Sequence, residues 1–217
     1  LLSTGAAWTD EIESSVRHLL ARDPLIRYRL VLLACSLVYP TKNIDANVGR
    51  ISSLRDMTVG WGWDSVLTGY SDHTTATSTA RDAAIAGAVL VEKHYTFAGA
   101  TGPVADHAMA VDAAGLKRVV WAAKSGALAR GNSRLSPSDD EYRARVGARR
   151  GMWLVKDVEA GQIVREGDAL ALRPCPAGAA NPDIWFNSVN RATYRFSLKA
   201  GQVIGASDCE WGLDTRP

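Results

Sequence analysis

Over its first 130 residues the chain alternates short apolar runs with longer helical patterns. Residues 29–36 form an almost uninterrupted apolar run, as expected for a strand that is buried on both faces. Helical periodicity precedes this run at residues 10–21 and follows it at residues 45–56. Such alternation is typical of an α/β fold, in which crossover helices join parallel strands. The pattern predicts a parallel sheet with strands at residues 1–4, 29–36, 65–69 and 88–92.

The pattern changes near residue 131, where a stretch rich in Ser, Pro and Asp follows the last predicted helix. Beyond it, short strand-like runs alternate with turns. Residues 155–164 resemble residues 195–204, and both contain Ala-Gly-Gln, which indicates a weak internal repeat. We therefore predict a first domain at residues 1–130, a linker at 131–147, and a small mostly-β domain with pseudo-symmetric halves at 148–217.

Composition excludes several classes of protein. The formal net charge is +2 and the basic residues are dispersed, so we expect no nucleic-acid partner. The apolar run at residues 30–37 is too short to span a bilayer, so we expect no membrane insertion. Cys35, Cys175 and Cys209 lie far apart without a Cys-x-x-Cys pair. This spacing argues against a disulfide framework or a zinc knuckle and favours a reducing compartment, the cytoplasm.

Polar and aromatic side chains follow each predicted strand after the first. Because the carboxyl ends of parallel strands lie at one edge of a sheet, we expect these side chains to share a rim. One follows the second strand, two follow the third, and four lie at the end of the fourth or in the next loop. They are Tyr39, Ser71, His73, Glu92, His94, Asp106 and His107.

The two rim histidines on adjacent strands, His73 and His94, suggest a metal site. Neutral imidazole suits a borderline divalent cation such as Mn²⁺, Co²⁺ or Zn²⁺. With open positions for substrate oxygen, such an ion would polarise a carbonyl as a Lewis acid. Asp72, Glu92 or Asp106 could orient a ligating imidazole. The alternative is that each histidine is hydrogen-bonded scaffolding, and the pattern alone leaves both interpretations open.

Four runs in this order resemble hallmarks of the sialic acid synthase family, whose members include N-acetylneuraminate, pseudaminate and legionaminate synthases. They are Tyr-Pro-Thr at residues 39–41, Gly-Tyr-Ser-Asp-His-Thr at 69–74, Glu-Lys-His-Tyr-Thr at 92–96 and Gly-Pro-Val-Ala-Asp-His at 102–107. Residues 155–162 and the Leu-Arg-Pro at 172–174 resemble the family's C-terminal antifreeze-like (SAF) domain. The resemblance extends over nearly the whole chain.

The resemblance implies a fold and an assembly. Residues 1–130 would be the C-terminal half of a TIM (β/α)₈ barrel, its last four βα units, followed by the SAF domain. A complete barrel takes roughly 250 residues, so the first four units are absent from this sequence. We therefore expect a separate chain to supply strands one to four. The family also implies a domain-swapped homodimer.

The resemblance also implies a reaction and a role for each site residue. The enzyme would be a transferase that forms a carbon–carbon bond between phosphoenolpyruvate and an acylated amino sugar of the N-acetylmannosamine type. The metal would be Mn²⁺, with Mg²⁺ or Co²⁺ as alternatives. Arg173 would reach the acceptor sugar in the barrel of the partner subunit, and Asp106 would hold its hydroxyls. The implied catalytic group is His73, His94, Asp106 and Glu92, the metal ligands are His73 and His94, and the substrate-binding residues are Tyr39, Ser71 and Arg173.

Two positions depart from the family pattern. Leu37 stands where the family has Asn or Ser, which removes a polar contact. Val104 and Ala105 precede Asp106 as an insertion, which shifts that carboxylate along the loop. Because half of the barrel is missing, a second hypothesis is that the chain is inactive alone and serves as an oligomerisation or sugar-binding module.

Overall fold

The structure is a computed structural model that describes residues 1–97 and 105–211. It divides into two compact units, Leu1–Ser133 and Arg134–Pro217, which are called unit 1 and unit 2 below. The predicted motif at residues 102–107 lies partly outside the described residues, because the description resumes at Ala105.

Unit 1 contains a parallel sheet whose four described strands neighbour one another in chain order. A helix follows each strand, as βαβ connections require. This arrangement confirms the predicted α/β class and is that of a partial (β/α)₈ barrel. The elements are β1 Leu2–Ser3, α1 Thr9–Arg22, β2 Val31–Ala34, α2 Arg50–Gly60, β3 Leu67–Asp72, α3 Thr79–Ala86, β4 Val91–Lys93 and α4 Ala113–Arg130.

The main core of unit 1 lies between the sheet and its helices. Successive strand residues point to opposite faces, so the even-numbered residues of β2 and β3 share one face. Leu32, Ala34 and Tyr70 lie on that face and are almost fully buried. They pack in one cluster with apolar residues of three helices, which include Ile12, Val16, Ile51, Leu54 and Ala83. The opposite face carries the odd-numbered residues and leads to the predicted rim.

Two boundaries differ from the sequence prediction for identifiable reasons. The third strand was predicted at residues 65–69, but β3 continues to Asp72. Residues 70–72 pair with β4, so backbone hydrogen bonding extends the strand through polar side chains. The helix predicted at residues 45–56 begins later, at Arg50, because a 3₁₀ turn occupies residues 43–45.

Unit 2 contains two short antiparallel strand pairs and two helices within its described residues. One pair is β5 with β6 and the other is β7 with β8. The predicted linker at 131–147 overlaps helix α5, which begins after Ser138. Ser138 and Glu141 form a capping box, a local signal that offsets the linker-like composition. The elements are α5 Asp139–Ala148, β5 Gly151–Leu154, β6 Ala169–Leu172, α6 Pro182–Ser188, β7 Thr193–Tyr194 and β8 Cys209–Glu210.

The predicted internal repeat is present in the hydrogen bonds of unit 2. Asp168 and Asp208 each accept a hydrogen bond from the backbone N–H three residues earlier, at 2.8 and 2.7 Å. Gln162 and Gln202 do the same, at 3.1 and 2.6 Å. The two halves therefore close their turns with the same side chains at the same positions.

Asp168 also makes contacts that have no equivalent at Asp208 among the residues that the structure describes. The fully buried carboxylate accepts a hydrogen bond from the Tyr194 hydroxyl at 3.2 Å and contacts the Lys156 ammonium at 2.8 Å. Burial, followed by the Asp168 charge, raises the pKa of Tyr194. The tyrosine therefore stays protonated at neutral pH and remains a donor to Asp168.

Cys35, Cys175 and Cys209 are all free thiols. Burial, with a smaller contribution from Asp208, raises the pKa of Cys209 to about 12, so its thiol is protonated at neutral pH. In residues 1–97 and 105–211, no helix combines the length and the hydrophobicity that a bilayer span requires.

Gly126 tests the close packing of α4 on α3. A Cβ at this position would overlap the backbone carbonyl of Arg81 and lie 3.1 Å from the Ala84 Cβ. We expect Gly126→Ala to lower the free energy of unfolding by about 1–3 kcal/mol, because a packed backbone cannot yield easily. Urea denaturation followed by circular dichroism measures this change. Gly147→Ala is the control, since no atom lies within 4 Å of its added Cβ and α5 should gain stability.

Candidate active site at the carboxyl ends of the sheet

His73 and His94 meet beyond the carboxyl ends of β3 and β4. Their ring centroids are 5.2 Å apart and the rings are inclined at 75°. His73 is buried, whereas 28% of the His94 side chain is exposed. The two imidazoles therefore form one cluster that solvent and ligands reach from the His94 side.

The orientation of His73 is fixed by a backbone carbonyl. Its Nδ1 lies 2.6 Å from the Ser36 carbonyl oxygen, which can only accept a hydrogen bond. Nδ1 must therefore carry the proton, and in the neutral ring Nε2 keeps its lone pair. Ser71 Oγ lies 3.3 Å and Tyr39 Oη 3.5 Å from that nitrogen. This tautomer is the one that a metal or a hydrogen-bond donor can use.

Tyr39 packs against both histidines. Its ring stacks on His73 with centroids 4.4 Å apart and meets His94 edge-on at 5.9 Å. These contacts lie within the range of favourable aromatic geometry. Tyr39 is nevertheless part-exposed, so its hydroxyl can contact both His73 and an incoming ligand.

The charges that act on Tyr39 are negative. Burial raises the pKa of Tyr39, and interactions with Cys35 and with the carboxylates of Asp106 and Glu92 raise it further. The phenol therefore keeps its proton at neutral pH. The same carboxylates favour the binding of a cation at this rim.

Ser71 and Glu92 face each other across β3 and β4, and they are register partners in the sheet. The Ser71 hydroxyl donates a hydrogen bond to Glu92 Oε1 at 2.8 Å. Asp106 lies in a 3₁₀ turn at Ala105–Ala108, and its Oδ1 is 3.9 Å from His94 Nδ1. That distance is too long for a hydrogen bond between the two side chains.

Asp72 and Lys93 lie on the opposite face, and Asp72 does not orient either imidazole. The Lys93 ammonium contacts Asp72 Oδ2 at 2.9 Å and donates to the Thr74 carbonyl oxygen. Asp72 Oδ1 accepts hydrogen bonds from the Thr74 N–H at 2.8 Å and hydroxyl at 2.7 Å. Both charged side chains are almost fully buried, at 1% and 0% exposure. The hypothesis that Asp72 orients a metal ligand is therefore wrong for this geometry.

Three further residues that the sequence singled out are His107, Arg173 and Leu37. The Nδ1 of His107 is buried, and no hydrogen-bond partner for it exists among the described residues. Arg173 belongs to unit 2 and is exposed. Leu37 is half-exposed and brings no polar group to the rim. The structure thus brings together Tyr39, Ser71, His73, Glu92, His94 and Asp106.

The donor set suits a divalent cation only in part. Within the described ranges, no group of three or more His, Cys, Asp and Glu side chains has the spacing to hold a metal ion. The rim offers two imidazoles, and the fixed tautomer leaves the Nε2 of His73 free to ligate. Two nitrogen ligands close to carboxylates fit a cation whose remaining coordination positions are filled by water or by substrate oxygen.

One orienting contact had no signature in the sequence. The carbonyl of Ser36 fixes His73, yet every residue has such a carbonyl, so only the folded geometry reveals it. The pairing of Asp72 with Lys93 did have a signal. Because strand side chains alternate, Asp72 and His73 had to face opposite ways once the strand was known to reach Asp72.

Lys93→Met tests the buried ion pair. The change leaves the Asp72 carboxylate buried without its cation, and we expect the free energy of unfolding to fall by about 3–5 kcal/mol. Urea denaturation measures the loss. Lys199→Met is a matched control, because it breaks an exposed ion pair with Asp157 of 2.7 Å and should change stability little. Equal losses in the two variants would contradict a special role for the buried pair.

Glu92→Gln and Asp106→Asn test the charge at the rim. Each change removes a negative charge that opposes ionisation of Tyr39, so the pKa of Tyr39 should fall towards its ordinary value. A pH titration of the Tyr39 ring carbon signal by NMR measures the shift. Glu13→Gln on α1, whose carboxylate pairs with Arg17, should leave the Tyr39 titration unchanged. An unaltered pKa in both rim variants would contradict the electrostatic account.

Comparisons with known proteins agree with this architecture. The N,N'-diacetyllegionaminic acid synthase of Legionella pneumophila is 31% identical over 175 residues, which cover 81% of this chain and 46% of that protein. The pseudaminic acid synthase of Helicobacter pylori is 29% identical over 215 residues, covering 98% and 59%. The chain therefore spans about half the length of these relatives.

A solved structure shares the fold. A protein assigned to spore coat polysaccharide biosynthesis (protein E) from Chromobacterium violaceum superposes with a TM-score of 0.71 at 24% identity. The match covers 96% of this chain and 59% of that one. The sequence profile described as the NeuB family matches residues 1–134, more than half of the chain. The chain belongs to the NeuB family.

Proposed function

We propose that the chain is part of a nonulosonic acid synthase, which condenses phosphoenolpyruvate with an N-acyl hexosamine and releases phosphate. The observation that carries this proposal is the cluster of His73 and His94 with Glu92 and Asp106 at the carboxyl ends of β3 and β4. Membership of the NeuB family supports the reaction class, because relatives of the chain are legionaminic and pseudaminic acid synthases.

In this proposal His73 and His94 hold a divalent cation, with Mn²⁺ as the first candidate and Mg²⁺ or Co²⁺ as alternatives. When bound, the ion would supply Lewis acidity at the aldehyde oxygen of the open-chain sugar. The fixed tautomer of His73 supports its role, since Nε2 carries the free lone pair. The negative charge around Tyr39 supports a cation at the same place.

The proposed chemistry balances as a condensation followed by hydration. Carbon 3 of phosphoenolpyruvate attacks the aldehyde carbon, a carbon–carbon bond forms, and the aldehyde oxygen takes a proton and becomes a hydroxyl. Water adds at carbon 2, and the carbon–oxygen bond to phosphate breaks. The protonated Tyr39 and the hydroxyl of Ser71 are hydrogen-bond donors for phosphoenolpyruvate. Glu92 can take up a proton through Ser71, and Asp106 can accept hydrogen bonds from sugar hydroxyls.

Further substrate contacts would come from outside unit 1. We assign unit 2 to the antifreeze-like domain type on the basis of its internal repeat. Arg173 of one copy would then reach the acceptor of another in a domain-swapped homodimer. Arg173 is exposed, and it makes no ion pair or side-chain hydrogen bond with the described residues, which leaves its guanidinium free for such a contact. A separate polypeptide segment would complete the barrel with strands one to four.

The names of two relatives bear on the acceptor sugar. Both the legionaminic and the pseudaminic acid synthases match this chain over most of its length. Acceptors of those types are therefore tested beside N-acetylmannosamine.

Replacing the two histidines tests the metal and the reaction separately. We expect His73→Ala and His94→Ala to abolish tight Mn²⁺ binding, measured by electron paramagnetic resonance on the chain alone, because each removes one of two nitrogen ligands. His18→Ala on the exposed surface of α1 is the control and should bind Mn²⁺ like the parent. Phosphate release from phosphoenolpyruvate with the acceptor panel measures condensation, with and without a polypeptide that carries strands one to four.

Turnover should require the added polypeptide and should disappear in both histidine variants. Turnover by the chain alone would contradict the need for the other half of the barrel. Mn²⁺ binding that survives both substitutions would refute the metal site. Binding of an acylated amino sugar with no turnover under any condition would favour the alternative, a sugar-binding or oligomerisation module.

A further inference from the structure

A cavity of about 380 Å³ lies within unit 2, between helix α5 and residues 175–179. Arg145, Arg149 and Arg150 line it, and no acidic side chain is among its described lining residues. A concave surface lined by one sign of charge focuses the potential and concentrates ligands of the opposite sign. We propose that this cavity binds a small oxyanion ligand that carries a phosphate group.

Two of the three arginines that line the cavity have no acidic partner and no side-chain hydrogen bond among the described residues. Arg145 and Arg149 make no ion pair or side-chain hydrogen bond with any residue that the structure describes, whereas Arg143 on the same helix pairs with Asp140 at 3.0 Å. Arg150 is held in place, because its Nη1 donates to the Ala171 carbonyl oxygen at 3.1 Å. Two free guanidinium groups beside a third that is fixed suit the fork geometry of phosphate recognition.

Backbone donors add to the arginines. Residues 176–179 form a turn that is closed by a hydrogen bond from the Ala179 N–H to the Pro176 carbonyl oxygen at 3.1 Å, with Gly178 at a φ of 79°. The N–H groups of Ala177 and Gly178 have no acceptor within residues 1–97 and 105–211. Successive free N–H groups at a turn are a recurring element of anion sites. These two residues line the same cavity as the arginines.

The volume limits the kind of ligand. Pockets for small molecules span roughly 300–1,000 Å³, and this cavity lies at the lower end of that range. It can hold inorganic phosphate with water or a compact phosphate ester. The site contains no residue of the rim in unit 1, so the inference does not depend on the proposed synthase reaction.

The test measures phosphate binding to the full chain by isothermal titration calorimetry at low ionic strength. The variants are Arg145→Gln and Arg149→Gln, and the control is Arg143→Gln on the same exposed helix. The two probes are inorganic phosphate and glucose 6-phosphate. We expect each cavity variant to weaken binding by about tenfold, the loss of one charge-assisted hydrogen bond. The control should bind like the parent, and circular dichroism should show all variants folded.

The outcomes are distinct. Tighter binding of the ester than of inorganic phosphate identifies an ester as the ligand, and equal or weaker binding identifies phosphate itself. The proposal is overturned if neither probe binds saturably. It is also overturned if Arg143→Gln loses as much affinity as Arg145→Gln, because the effect would then be one of net charge. Unchanged binding in both cavity variants would place the anion elsewhere on the chain.

Discussion

The buried ion pair of Asp72 with Lys93 supports the geometry of the whole rim. It joins the last residues of β3 and β4 and also binds Thr74 just beyond β3. Two buried charges are expensive to desolvate unless their geometry is well satisfied, and here both Asp72 oxygens have partners. A register shift of one residue would separate the charges and turn every side chain to the other face. The pair therefore favours the one register in which Ser71 meets Glu92.

The two faces of the sheet in unit 1 have different roles: one packs the core and the other carries polar side chains of the rim. One face packs apolar residues of β2 and β3 against the helices and supplies most of the main core. The other presents Ser71 and Glu92, and the chain beyond the strands adds His73 and His94. Strand alternation produces this division without any special backbone geometry. Ser71 and Glu92 are thus positioned by the strands, and His73 by one backbone carbonyl, that of Ser36.

The parallel strands and the position of the rim could be predicted from the sequence, and each feature that could not be predicted has a physical cause. The apolar runs located the parallel strands, and the spacing of the histidine motifs located the rim. The end of β3 was predicted too early because Ser71 and Asp72 are polar, although both residues pair with β4 in the sheet. The predicted strand therefore stopped before the alternation that turns the Asp72 side chain away from His73. Helix α5 was missed because its composition suggests a linker, although Ser138 and Glu141 provide a capping box. Contacts made by backbone carbonyls leave no trace in side-chain identity.

The sign of the charge at the rim bears on the proposed reaction. Burial, Cys35 and the carboxylates of Asp106 and Glu92 all raise the pKa of Tyr39, yet phosphoenolpyruvate, a substrate in the proposed function, is itself an anion. Coulombic repulsion would oppose its approach unless positive charge is brought to the rim. In the proposed function, a divalent cation held by His73 and His94 would supply part of that charge, and basic side chains from the other half of the barrel would supply the remainder. Under that proposal the rim of this chain would serve aldehyde activation, and most of the recognition of phosphate would come from the other half of the barrel.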